Sequence, residues 1–320
     1  MKFKLYLFLA FIASIPLIAC GCSNKNMAVE NTGVKLHDNF KDSDSGIIKK
    51  TLPLKDFHGI NVASYAQVYY TQGSEYKVVF EGRESVWKGL SFDVHGGILV
   101  VGFSKDTCIN SFNSSSCNLY ITAPNIDQLH TSGFLTFYAK SLKTHILAVC
   151  NNGNMDLFID KLKADSYSII NNGFMTNNGI FEVDKFAMIN YAEYKSKSDL
   201  KASYDMNLNN NGSVDISGGI DARNIYWNST AIDNCKVDIK AKNADFNISG
   251  SGQIDGKFNG DIISVECNGE AKINMGVDCR SVSACVNGEG SITLSGTADK
   301  TDIYGKGVSR VDTSRLNNFE

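Results

Sequence analysis

"VNGEGSITLSG", residues 286–296, sets hydrophobic Ile292 and Leu294 in alternation with Ser291, Thr293 and Ser295. In an extended chain successive side chains point to opposite faces, so the two apolar residues share one face and the hydroxyls the other. A glycine stands just before the run and another just after it. The same phrase returns as "NNGNMDLFID" from Asn151, "NNGSVDISG" from Asn210 and "GSGQIDG" from Gly250.

Laid end to end, these phrases make a ruler. Gly133, Gly153 and Gly173 are 20 residues apart, Gly212 and Gly252 are 40 apart, and Ala271, Gly290 and Ser309 continue at 19. Each opens an alternating unit: NMDL, SVDI, QIDG, KINM, SITL, RVDT. Further alternating pieces such as ADSYSII, DIISVEC and RSVSACV lie between them. A fixed period near 20 residues marks a repeat architecture. The Leu-rich consensus of leucine-rich repeats is missing, and no segment after 104 keeps a helical period. Short strands joined by Gly, Asn and Asp turns predict an all-β parallel solenoid with one coil per repeat. Stacked coils set like side chains about 4.8 Å apart, each buried aliphatic contributing roughly 1.5–3 kcal/mol. An antiparallel sandwich would also show short alternating strands, but it has no reason to keep the spacing.

The segment before the repeats differs. FHGINVASYAQVYYTQG (57–73), YKVVFEG (76–82), LSFDVHGGILVVGF (90–103) and CNLYITAP (117–124) read as strands, with TQGSEY and HGG as turns. The expectation is a strand-rich module that forms the first end of the solenoid and covers its open edge.

The N-terminus gives an address. Lys2 and Lys4 precede an apolar run too short for a comfortable membrane span, as in a secretory signal. The run ends Leu17-Ile18-Ala19-Cys20, which resembles a bacterial lipobox and predicts lipid attachment at Cys20. Cleavage there takes the basic count from 31 to 29 against 34 acidic residues, a net charge of −5. Such a chain is not drawn to anionic lipid, so the acyl chains must hold it, each CH₂ adding about 0.8 kcal/mol. The polar stretch after Cys22 reads as a tether. DSDSG at 42–46 has the opening of a calcium loop, yet Pro53 stands where the closing glutamate is required. The expected organisation is a signal peptide over 1–19, a lipidated tether over 20–50, a β module over 51–125 and repeats over 126–316.

Nine cysteines occur. Cys108 and Cys117 bracket a polar turn and either close a small disulfide in an oxidising compartment or stay free. Cys150, Cys235, Cys267, Cys279 and Cys285 lie in repeat strands, where cysteine packs as a small hydrophobe. The absence of CxxC or Cys/His spacing argues against a zinc site.

Phe57, Gly59-Ile60-Asn61, VYYTQGSEYKVVFEG (68–82), GGILVV (96–101) and LYITAPNIDQLHTSG (119–133) together resemble the auto-transporter adhesin head GIN domain family. The resemblance spans about 57–316. It implies a right-handed parallel β-helix on secreted or outer-membrane proteins of Bacteroidota, without an established activity.

The residues themselves offer little chemistry. Five histidines fall in the first half with no GxSxG or HExxH motif, and His145 reads as a solvated strand residue. Asp156 with Asp160, Asp215 with Asp221 and Asp238 with Asp245 are the carboxylate pairs a glycosidase or lyase would need. Alternation alone also turns such acids to solvent. Tyr191, Tyr194, Tyr204, Tyr226 and Trp227, with Lys195, Lys197 and Lys201, form the aromatic-rich stretch suited to a glycan or protein ligand, although some of these side chains, Trp227 above all, must be core. No basic patch points to nucleic acid, and no cofactor or metal is expected. The expected function is non-enzymatic: a cell-envelope lipoprotein of the outer membrane, binding or adhering through a solenoid face. The rivals are a polysaccharide-degrading enzyme and a structural protein that associates with its own copies as a homo-oligomer. The residues after Cys20, GCSNKN, lack the acidic run that resembles a surface-export signal, which favours the periplasmic side.

Overall fold

The computed structural model describes residues 46–104, 117–305 and 310–318. They form one 18-stranded sheet wound into a β-solenoid of about ten turns, with coils about 19 residues apart. The head of the molecule contains β1 (Ile47–Leu52), β2 (Gly59–Val62), β3 (Tyr65–Gln72), β4 (Lys77–Arg83), a short helix α1 (Glu84–Gly89), β5 (Leu90–His95), β6 (Ile98–Phe103), β7 (Cys117–Ala123) and β8 (Gln128–Thr131). The coils follow as long bent strands: β9 (Phe134–Asn151), β10 (Asn154–Asn171), β11 (Phe174–Asn190), β12 (Glu193–Asn210), β13 (Ser213–Ser229), β14 (Ile232–Ile248), β15 (Ser251–Cys267), β16 (Lys272–Val286), β17 (Ser291–Gly305) and β18 (Arg310–Asn318).

Every neighbouring pair from β9 to β18 is parallel and in register. Alternation explains the core, but an odd coil length cannot be met by alternation alone. In β14 the buried residues are Asp233, Cys235, Val237, Ile239 and Ala241, then Ala244, Phe246 and Ile248. The phase breaks where Lys242 and Asn243 both face outward, and that break is a corner. Coils of 20 place the extra residue at a bulge. Asp160 is passed over between Ile159 and Lys161 in the pairing of β10 with β11, and Ser203 and Tyr204 are passed over between Ala202 and Asp205 in β12.

The turn column runs Gly133, Gly153, Gly173, Ala192, Gly212, Ala231, Gly250, Gly269, Gly288, each packed on the residue before it. The spacing rule therefore needs one correction. Gly212 and Gly252 are not in one column: Gly252 stacks on Asp233, which stacks on Val214, and it continues to Ala271 and Gly290. The slip is two residues, so every side chain stayed on its expected face; a slip of one would have inverted all of them. The coil around 186–210 keeps its parallel stacking, with Ala192 standing in for the glycine, but it is irregular at the Ser203–Tyr204 bulge.

At the head the stack leaves chain order. β3 lies between β7 and β9, and β2 lies between β6 and β8, all parallel. β1 and β4 add antiparallel strands beyond β7, and β5 adds one beyond β6. The helix α1 was not expected from the alternating pattern.

One interior column is polar. Asn151 donates from Nδ2 to Asn171 Oδ1 (2.7 Å), Asn171 to Asn190 (2.7 Å), Asn190 to Asn210 (2.9 Å), and Asn210 to Ser229 Oγ (3.2 Å). The same amides also donate to the carbonyls of Phe174, Glu193, Ser213 and Ile232. Buried polar groups are stable only when paired in this way. From Ile248 onward the column is Ile, Cys267 and Val286.

Candidate functional site: an aromatic-walled stripe on one face

Register decides which side chains meet on the outside. On the face formed by β7, β3, β9 and β10, three outward columns run along the axis. In one, Tyr120, Tyr69, Tyr138 and Phe158 stack in that order at 5.2, 5.0 and 5.2 Å between ring centroids, with interplanar angles of 18°, 12° and 11°. Four residues back along the strands, Tyr65 stacks on Phe134 at 4.6 Å, and Phe103 meets Tyr65 edge-on. Aromatic pairs of this kind contribute about 0.5–1.5 kcal/mol each beyond burial.

Beside these rings lies a floor of Asn118, Gln67, Thr136, Asp156 and Thr176, one residue per rung. Rings stand on both sides at Gln67 and Thr136 and on one side at Asn118, Asp156 and Thr176, where Asn154 and Asn178 interrupt the columns. Tyr69 leans over it and donates its hydroxyl to Gln67 Oε1 (3.1 Å). Ion pairs bound the floor at each end. Lys49 meets Glu81 at 2.9 Å beyond Asn118, and Lys195 meets Glu193 at 2.7 Å beyond Thr176. Lys49 also lies over the Tyr120 ring and Lys195 over that of Phe174. The Lys49 hydrogen bond holds the Glu81 carboxyl below its usual range, and Glu81 in return raises Lys49. Partial burial, then the neighbouring Tyr69 and Asp156, pushes the Tyr138 phenol up.

The aromatics singled out in the sequence do not form this site or any single patch. Tyr194 and Trp227 point into the core, at 3% and 0% exposure, and are closed to a ligand. Tyr194 OH accepts a hydrogen bond from Asn177 Nδ2 (2.8 Å). Tyr191, Tyr204 and Tyr226 are exposed, but at a turn, a bulge and the face that follows the Arg223–Asn224 phase break respectively. Lys195 pairs with Glu193, and Lys197 and Lys201 lie on separate columns. A better rule was available: neighbours in a strand face opposite ways, so Tyr226 and Trp227 cannot both look outward. The true walls were hidden because Tyr69, Tyr120, Tyr138 and Phe158 are scattered over 90 residues and meet only through register.

The carboxylate pairs stay apart along their strands. Asp156 sits on the floor while Asp160 is the bulge residue four positions on, about 13 Å at a strand rise of about 3.3 Å. Cleavage by paired carboxylates needs about 5–9.5 Å. Asp215 and Asp221, like Asp238 and Asp245, fall on different outward columns. His145 is exposed and bonded through Nδ1 to Asp165 Oδ2 (2.9 Å) at the rim of a groove of about 700 Å³ that also contains Lys143, Lys163 and Glu182. The Lys161–Glu182 pair (2.9 Å) offsets charge there internally.

Cys117 is buried, and burial pushes its thiol up to about 12; its partner in the expected disulfide, Cys108, lies outside the described residues, as do Cys20 and the leader. Cys150, Cys235, Cys267 and Cys279 are buried, whereas Cys285 is partly exposed. Among the described residues there is no cluster of His, Cys, Asp and Glu able to hold a metal ion, and no helix long and apolar enough to cross a membrane.

No curated protein matches the chain in sequence. Solved structures similar to it include a "putative lipid binding protein" from Parabacteroides distasonis (16% identity, 78% of this chain and 97% of that one, TM-score 0.47). Two others are described as putative adhesins, one from the same organism (14%, 84% and 98%, 0.43) and one from Parabacteroides merdae (15%, 83% and 95%, 0.41). The family described as "putative auto-transporter adhesin, head GIN domain" matches residues 56–184 and 253–320. With more than half of its length matched, the chain belongs to this head GIN domain family.

Proposed function

We propose that this chain is a cell-envelope lipoprotein, anchored in the outer membrane through Cys20, with a non-enzymatic binding role carried by the side of its solenoid. The observation that carries the reading is the aromatic-walled stripe. Exposed rings in number, ordered by register and flanking a hydrogen-bonding floor, are typical of recognition surfaces. The separation of the carboxylates speaks against the polysaccharide-degrading alternative. Self-association through strand edges is opposed by charge: β1 carries Lys49 and Lys50, and β18 carries Arg310, Asp312 and Arg315, residues that blunt an edge against pairing.

Two measurements test this. Labelling with an alkyne-palmitate analogue should mark the protein and the membrane fraction should retain it, with both lost in Cys20→Ala; unchanged labelling in that variant would refute the anchor. Protease treatment of intact cells should leave the protein whole if it faces the periplasm, as the missing acidic run favours. Degradation would place it on the surface, where an adhesive role operates.

A further inference from the structure

We infer that the aromatic-walled stripe is a site for a neutral, extended oligosaccharide lying along the solenoid axis. The inference rests on the reading of that face as the binding surface, and adds the ligand class and its direction.

The argument starts from charge. Elsewhere the outward columns are laced with ions, as in Lys163, Glu182, Lys201, Asp221 and Lys240, which follow one another rung by rung. Between the bounding ion pairs, the stripe instead has one acid, Asp156, among two amides and two threonines. Such a floor gives no handle to an anionic polymer. It does offer a donor or an acceptor on each rung, about 4.8 Å apart, over five rungs. The walls stand four residues apart along the strand, about 13 Å between backbone positions, and the rings narrow that further. A helix of about 10–12 Å diameter does not lie between them. An extended peptide binds sheets by pairing with free backbone groups at an edge, and here every floor residue lies mid-sheet with neighbours on both sides. A chain of polyhydroxylated rings needs neither width nor free backbone. It can hydrogen-bond to Gln67, Asn118, Thr136 and Thr176 and place its apolar C–H faces against Tyr and Phe.

Isothermal titration of the full chain in detergent with cellohexaose, xylohexaose and mannohexaose, against hexagalacturonate as the acidic control, tests the assignment. At least one neutral oligomer should bind, roughly tenfold or more tightly than the acidic one. Thr136→Lys, which fills the floor, and Tyr138→Ala, which breaches a wall, should each weaken it roughly tenfold or more, as central contacts do. Tyr204→Ala should leave it unchanged, and circular dichroism should show the fold intact in all three. Failure of every neutral oligomer to bind at millimolar concentration, preference for hexagalacturonate, or binding unaffected by Thr136→Lys each overturns the proposal. If no neutral sugar binds but Thr136→Lys abolishes capture of a protein partner, the ligand class falls and the binding face stands.

Discussion

From Asn151 to Asn210 one interior column of the coil is a run of amide hydrogen bonds. From Ile248 to Val286 the same column, in the same register, is aliphatic and thiol packing. The bulges at Asp160 and at Ser203–Tyr204 fall in the ladder half, whereas β13 to β17 pair without a register shift. The two halves differ in how they specify register. An amide ladder is directional: each side chain must find the next one at one height, and a missing partner strands a buried donor or acceptor. Aliphatic stacking is non-directional and tolerates changes of shape at modest cost.

The join between the halves is where the pairing fails. Among the described residues, the two buried side-chain N or O atoms without a hydrogen-bond partner are Trp227 Nε1 and Asp233 Oδ2, both beside Ser229, the ladder's last hydroxyl. Asp233 Oδ1 accepts a hydrogen bond from Asn210 Nδ2 (3.2 Å), and burial pushes its carboxyl up against the opposing pull of the Ser229, Trp227 and Asn210 side chains. A carboxylate fully inside the stack is the trace of a polar column ending in an apolar one.

The contrast can be broken most severely in the ladder. Asn171→Ala removes the bonds to Asn151 and Asn190 and opens a cavity, and should cost about 3 kcal/mol in chemical denaturation. Gly218 has φ of +129°, and an added Cβ would lie 2.1 Å from the Ser198 carbonyl oxygen. Gly218→Ala should therefore cost about 2 kcal/mol through strain. In the aliphatic half Ile248→Val should cost only about 1 kcal/mol. A loss at Ile248 as large as that at Asn171 would erase the distinction.

The smallest effect sharpens the join. The folded state raises the affinity of Asp233 for its proton, so folding takes up protons and this group's contribution to stability is greatest below the unfolded carboxylate range. It is lost as pH rises through the raised folded value. Asp233→Asn should remove that slope: thermal melts of the two proteins should diverge with pH in the mildly acidic range, the wild type gaining relative to the variant as pH falls. Parallel curves would mean the carboxylate is not buried.

Much of this fold could be read in the sequence because its two periods, 2 and about 19, leave marks that survive errors. Pairing Gly212 with Gly252 was off by two and still kept Ile216 and Ile254 facing inward. The ladder was not legible, because Asn-Asn before Gly reads as turn chemistry, and only the register shows that the first Asn of each pair points inward. The aromatic walls were illegible for a related reason: β7 sits outside β3, against chain order, so Tyr120 and Tyr69 become neighbours through a topology no local pattern encodes. Trp227 was legible as core, being one of two tryptophans, and it is fully buried; Tyr194 was not, because only the register of β12 shows that the second residue of the strand points inward.

The account depends on the coil being an interchangeable unit, and deletion of one coil tests that most directly. Removing residues 254–272, 19 in all, joins Gln253 to Ile273 and sets Ile273 on Cys235, Val277 on Ile239 and Val286 on Ile248. Calorimetry should show a single cooperative transition at a somewhat lower temperature, while removal of only 254–263 abolishes it. If the half-coil deletion is tolerated as well as the whole coil, or the whole-coil deletion unfolds the protein, the stacked-rung account is contradicted.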